Sequence, residues 1–185
     1  MGKTKKHTPV KLIVGFIFQE KTILKKAEAA LRRNFGKIDF QSETLVFNHT
    51  DYYKKEFGNN LLRKFISFQK LVNPETLAEI KLSTNKIEEN FSKSGLRRIN
   101  IDPGYLDLSK LVLATTKDYS HRIYLKKGIY AEVTLFFKSK RFQPWPWTYP
   151  DYRTGEYAGI FNEIRNIYAR TLPFLLKRPS GRNPG

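Results

Sequence analysis

Asp102, His121, Arg122 and Glu132 are the side chains of this 185-residue chain best suited to moving a proton or holding a charged group. The last three fall within one stretch, "SHRIYLKKGIYAEVTL", which reads as two strands joined by a three-residue loop, Lys126-Lys127-Gly128, with glycine at the left-handed position. That loop pairs Leu125 with Ile129. It sets Arg122 opposite Glu132, Tyr124 opposite Tyr130 and Ser120 opposite Thr134 on one face, because side chains alternate along a strand. His121 falls on the other face, with Ile123, Ala131, Val133 and Leu135. Arg122 and Glu132 are then either a cross-strand ion pair, contributing about 0.2–1 kcal/mol, or the wall of a pocket. His121 is either a hydrogen-bonded core residue or a proton-transfer group, with no second histidine at metal-ligand spacing.

In "NIDPGYLD", Asp102 ends a predicted strand before a Pro-Gly turn. It is either a presented carboxylate or the first residue of a turn, bonded to its own backbone. Lys81, Asn85 and Glu88 flank the apolar stripe of a predicted helix and read as a solvated rim. "NHTDYYKKEFG" places His49, Asp51 and two tyrosines in a predicted loop. The cofactor is unknown from these residues. A divalent cation needs more oxygen ligands than Asp51 supplies, so Asp102, Glu132 or Glu56 would have to converge on it.

The segment "RFQPWPWTYPDYR" holds both tryptophans. Its prolines force an extended backbone, so the rings either cap the end of the core or form a stacking surface beside Lys138, Lys140, Arg141 and Arg153. A phosphate-bearing ligand would find cations in Lys110, Lys117, Arg122, Arg141 and Arg153. Trp145, Trp147 and Tyr149 would stack on a base, with Tyr124, Tyr130 and Thr134 on the polar hairpin face.

Leu12–Phe18 is a seven-residue apolar run of β formers, read as an interior strand covered on both faces. Ile23, Ala27, Ala30 and Leu31 recur at helical spacing, with Gly36 as the stop. Phe40–Phe47 and "LLRKFISFQKLV" are strand-like. Asn73 caps and Pro74 opens a helix whose stripe is Leu77, Ile80, Thr84, Ile87 and Phe91. "RRINI" supplies the next strand, completing a ferredoxin-like β-α-β-β-α-β order within an α+β class. "LSKLVLATT", "SHRIYL" and "GIYAEVTLFF" extend the sheet by further antiparallel strands, and Tyr157–Tyr168 forms a closing C-terminal helix. One domain is expected over 9–172, between a basic N-terminal tail at 1–8 and a basic C-terminal tail at 173–185.

The composition holds 34 Lys+Arg against 17 Asp+Glu, a net charge of +17, which favours anionic partners. Cysteine is absent, so disulfides, thiolate metal sites and cysteine nucleophiles are excluded. The longest apolar run is far short of the roughly 20 residues of a membrane span, and a cytoplasmic protein with no membrane partner is expected. No GxxxxGK[ST] precedes "TTKD", so that tetrapeptide is not the base-reading element of a P-loop GTPase. GxGxxG, GxSxG and HExxH are also missing.

"TDYYKKEFG", "KLSTNKIEE", "RRINIDPGYL", "KLVLATTKDYSHRIYL", "GIYAEVTL" and "WTYPDYR", in that order, resemble the bacterial family described as domain of unknown function 4416. The resemblance covers roughly residues 8–170 and assigns no catalytic residue. The residues themselves leave three readings open. The first is binding of a nucleotide or RNA through basic and aromatic side chains. The second is a metal-assisted enzyme acting on a phosphorylated substrate through Asp51, Asp102, Glu132 and His121, and the third is a protein-interaction module.

Overall fold

A computed structural model describes residues 2–48 and 54–176. The element order is β1 (Lys11–Phe18), α1 (Lys21–Phe35), β2 (Ile38–Gln41), β3 (Leu45–Phe47), a single-turn α2 (Lys54–Phe57), β4 (Leu61–Phe68), α3 (Leu77–Asn90), β5 (Ile99–Leu106), β6 (Lys110–Thr115), β7 (Ile123–Lys126), β8 (Ile129–Lys138), β9 (Arg141–Pro144) and α4 (Gly155–Leu176). The class is α+β. One nine-stranded sheet runs β2-β4-β1-β5-β6-β8-β7, with β3 also on β4 and β9 also on β8, and every described pairing is antiparallel.

All of β1 is buried, because its two faces serve two cores. Leu12, Val14, Phe16 and Phe18 pack with Ile23, Leu24, Ala27 and Leu31 of α1 and with Ile80 and Ile87 of α3. Ile13 faces the other way, toward Tyr157, Phe161, Ile164 and Tyr168 of α4. Helices α1 and α3 therefore cover one face of the sheet and α4 the other. Among the described residues, no helix is long and apolar enough to cross a membrane. The closing helix runs on to Leu176, past the boundary at 172 expected for the domain.

Several local expectations change. The single strand expected over Phe40–Phe47 is two, β2 and β3, interrupted at Ser42. The Ser42 N–H donates to the Phe65 carbonyl and Ser42 Oγ accepts from the Phe65 N–H, both at 2.9 Å, which fills the break. Asn73 does not cap through its side chain. Its carbonyl instead accepts from Thr76 N–H and Oγ1 in a 3₁₀ turn at Pro74–Thr76 that leads into α3.

The turn expected at Pro103-Gly104 is also absent, and β5 runs straight through it, pairing with β1 along its whole length. Gly104 is there for another reason. A Cβ on it would lie 2.4 Å from the Val112 carbonyl oxygen, so the β5 and β6 backbones approach more closely than a side chain allows.

In the β7–β8 hairpin Tyr124 does pair with Tyr130. The loop is two residues, Lys127-Gly128, with φ of 54° and 74°, and the extra residue sits at Leu125 as a bulge. Lys127 takes the left-handed conformation as well as the glycine, which shortens the expected loop by one. Ser120 precedes β7 and is not opposite Thr134.

Candidate functional site

Strand β5 pairs with β1 from Ile99 to Leu106, but with β6 only from Gly104 to Leu106. Beyond Gly104 the two strands part, leaving the outer edge of Ile99–Pro103 without a neighbouring strand among the described residues, and a cleft of about 690 Å³ opens there. Helix α3 supplies what the missing strand would. The Ile101 N–H donates to Glu88 Oε1 at 2.6 Å, and the Ile101 carbonyl accepts from Lys81 Nζ at 3.1 Å. Lys81 and Glu88 are consequently buried rather than a solvated rim, since each satisfies a backbone group that would otherwise lose its hydrogen bond.

Asp102 stands on the β5 wall. It accepts from Asn100 Nδ2 at 2.6 Å and has Lys81 Nζ at 3.7 Å and Arg63 Nη1 at 3.8 Å. Arg63 is 1% exposed, on the α4 face of β4. Its guanidinium lies over Phe65, 4.6 Å from the ring centroid, and donates to Tyr152 Oη at 2.5 Å, with Asp151 at 3.9 Å. Gly15 makes the room: a Cβ there would meet Phe65 at 3.0 Å and Arg63 Nη2 at 3.1 Å. Burial works against the Arg63 charge, but Tyr152, Asp151, Tyr157 and Asp102 outweigh it and hold its pKa above the ordinary arginine value. Burial pushes the Glu88 carboxyl up, against the pull of Lys81 and the Ile101 N–H.

The facing wall is built from β8 and two loops. Glu132, 2% exposed, accepts from Arg122 Nε at 2.8 Å and Thr134 Oγ1 at 3.3 Å, and meets His121 Nε2 at 3.2 Å. Arg122 also donates to the Lys117 carbonyl at 3.0 Å and to Tyr149 Oη at 2.7 Å. Burial opposes the Arg122 charge, yet these partners raise its pKa overall. His121 therefore does not lie with the apolar residues of the hairpin. It stacks with Tyr119 and with Trp147, and Trp147 stacks in turn on Trp145, with centroids 6.0, 5.5 and 5.2 Å apart.

The Trp-Pro segment is held by its polar residues. Thr148 Oγ1 donates to the Thr134 carbonyl at 2.6 Å and accepts from Trp145 N–H at 2.8 Å. Arg153 donates to the Thr148 and Pro146 carbonyls at 2.7 and 2.8 Å. The backbone is not extended throughout, as the prolines led us to expect: Arg141–Pro144 joins the sheet as β9, Trp145–Thr148 closes a turn with the Thr148 N–H on the Trp145 carbonyl at 3.1 Å, and Pro150–Arg153 is a 3₁₀ turn. Trp147 borders the cleft and donates its Nε1–H to the Val133 carbonyl at 3.3 Å.

The family model described as Domain of unknown function (DUF4416) matches residues 8–168. This chain belongs to the DUF4416 family. No curated protein and no solved structure matches it. The DUF4416 match takes in both walls of the cleft, from Ile17 to Tyr152.

Of the residues singled out in the DUF4416 sequence, Asp102, Lys117, His121, Arg122, Glu132, Trp147 and Tyr149 line the cleft. The others lie elsewhere. Lys110 pairs with Asp107 at 2.8 Å at the far end of β6, and Tyr124 and Tyr130 pack against each other on the hairpin. Thr134 is a fully buried bulge residue of β8, and Trp145 packs on Phe136. Arg141 is exposed at the start of β9, and Arg153 braces the loop. Glu56 is bound to Arg97 at 2.5 Å, and His49 and Asp51 lie outside the described residues. Among the described residues no three carboxylates or histidines are grouped to hold a metal ion. Sequence reasoning missed Arg63, Lys81 and Glu88 as cleft residues. The readable signal for Arg63 is its register, since Leu61, Arg63 and Phe65 fall on one face of a strand whose neighbours there are apolar.

Proposed function

We propose that the cleft binds a small phosphate-bearing ligand of nucleotide size. The observation that supports this best is the spacing around Asp102. Lys81 and Arg63 are both buried, and each stands 3.7–3.8 Å from the carboxylate, too far for a direct hydrogen bond. Lys81 has three N–H donors and donates one to Ile101, and Arg63 Nε is without a partner among the described residues. Donors of this kind, desolvated and only partly used, suit phosphate oxygens. The cleft volume falls in the roughly 300–1,000 Å³ range of small-molecule sites.

The cationic lining residues, Arg63, Lys81, Arg97, Lys117 and Arg122, are matched by as many carboxylates, so the +17 excess lies outside the cleft. That outer field attracts anions, while selection rests on the geometry within. Trp147 and Tyr149 are both exposed beside the cleft, so a ligand's ring would meet the uncovered surface of these two side chains. A cleft of this size admits one nucleotide unit, which favours a free nucleotide over structured RNA. We also read β2-β4-β1-β5 as the ferredoxin-like half of the sheet, with β6–β9 added at the β5 edge, which puts the cleft at the junction of the two parts.

Titration calorimetry and tryptophan fluorescence with ATP, GTP and a ten-nucleotide RNA test the reading. Nucleotide should bind and perturb the fluorescence, Trp147→Ala should remove much of that signal, and Lys81→Met should weaken binding by about tenfold or more, as expected for loss of a charge-assisted contact of about 1.5–3 kcal/mol. Binding of RNA alone, with a steep salt dependence and no effect of Lys81→Met, would overturn it.

A further inference from the structure

His121 and Glu132 form a contact that neither ring packing nor backbone satisfaction requires. Glu132 is buried and occupied by Arg122 and Thr134, yet it also meets one imidazole nitrogen at 3.2 Å. Tyr119 and Trp147 both stack on the imidazole, with interplanar angles of 4° and 17°, and so restrain the plane of the ring. With Nε2–H donated to Glu132, the proton is kept off Nδ1, whose lone pair is left available on a ring that borders the cleft. Across the cleft stand Lys81 and Arg63, the cations suited to a phosphate.

We propose that His121 is the general base for hydrolysis of a phosphoanhydride or phosphoester bound in this cleft, with Glu132 as its positioning residue. The inference rests on the phosphate-binding reading above. Water is the co-reactant. Its proton moves to His121 Nδ1, its oxygen lone pair forms a new bond to phosphorus, and the bond from phosphorus to the leaving oxygen breaks with its electron pair. The leaving group departs as an anion beside Lys81 and Arg63, and His121 then returns its proton to solvent. Glu132 fixes the tautomer and stabilises the imidazolium, while Arg122 donates to the same carboxylate oxygen and holds it in place.

The charged and titratable groups facing His121 are Glu132 from β8, Arg122, Tyr119 and Lys117 from the preceding loop, and Tyr149 from the Trp-Pro segment. Two measurements test the proposal. Phosphate release from ATP, GTP and p-nitrophenyl phosphate should occur with the unaltered protein and fall about 10²–10⁴-fold in His121→Ala, the usual range for a lost general base, with nucleotide binding retained. Nitrogen-15 spectra of the imidazole should show the proton on Nε2 at high pH. Glu132→Gln should lower phosphate release with nucleotide binding retained, and the proton should then be shared between Nδ1 and Nε2 in the same spectra. Binding without phosphate release from any of the three compounds, or a proton resident on Nδ1, would overturn the hydrolytic role and leave the binding cleft standing. Absence of nucleotide binding would overturn both.

Discussion

Arg63 sits where a sequence pattern asks for a hydrophobe, and Gly15, Phe65 and Tyr152 shape a slot around it. Removing one partner of a buried charge pair costs about 3–5 kcal/mol, because the other charge is left unpaired. Arg63→Ala should therefore lower the urea midpoint by a stability loss of that order, and a loss below about 1 kcal/mol would show that Asp151 and Asp102 do not depend on it.

Glu88 makes a pH prediction at the same scale. Its folded pKa is raised, chiefly by burial, so the folded state holds a proton at pH values where the unfolded chain has lost it. The sign is then fixed: Glu88 destabilises above its folded pKa, and that cost disappears as pH falls toward the unfolded value of 4.5. Asp107 acts oppositely. Burial pushes it up, but hydrogen bonds from Lys110 and Ser109 win and its pKa is lowered, so its contribution is present above 3.8 and lost as pH falls through the folded value. The difference in stability between the native protein and Glu88→Gln, followed from neutral pH to about pH 4.5, should shrink if the Glu88 account holds.

At the scale of elements, the cleft exists because β5 leaves β6 just beyond Gly104. The residue that permits their closest approach stands at the end of their ladder, and α3 takes over the freed edge with Lys81 and Glu88. Gly104→Ala drives a methyl group into the Val112 carbonyl and to within 2.7 Å of Leu113 Cδ2. Overpacking of this kind costs about 1–3 kcal/mol, and the backbone contact puts the cost at the upper end. Amide hydrogen exchange should show faster exchange along β5 and β6, with β1 and β4 least affected. An unchanged melting temperature would mean that the strands shift freely, and that the narrow ladder is not what sets the cleft.

At the scale of the whole molecule, the charge is the dominant feature. A net +17 with a balanced cleft means that most of the excess faces solvent and repels itself. Raising sodium chloride from about 0.01 to 0.1 M shortens the screening length from about 30 to about 10 Å, and the melting temperature should rise. A falling melting temperature would show instead that surface ion pairs such as Arg98–Glu20 and Lys126–Glu79 outweigh the net repulsion.

Periodicity and turn chemistry determined the α+β class, the two amphipathic helices, the interior position of β1 and the Tyr124–Tyr130 pairing, because each follows from local alternation, apolar spacing and a glycine turn. The sequence also carried Asp102, His121, Arg122 and Glu132 as reactive side chains, and all four border one cleft. The hairpin pattern already set Arg122 against Glu132, and only the tertiary structure decided that Asp102 stands on the facing wall and that His121 joins the pair. Asp-Pro-Gly reads as a turn until β1 holds it straight, and Lys81, Glu88 and Arg63 become buried only because a sheet edge is left open and a glycine makes room. Such relations join residues far apart in the chain, and no local spacing encodes which backbone groups a distant strand will leave without a partner.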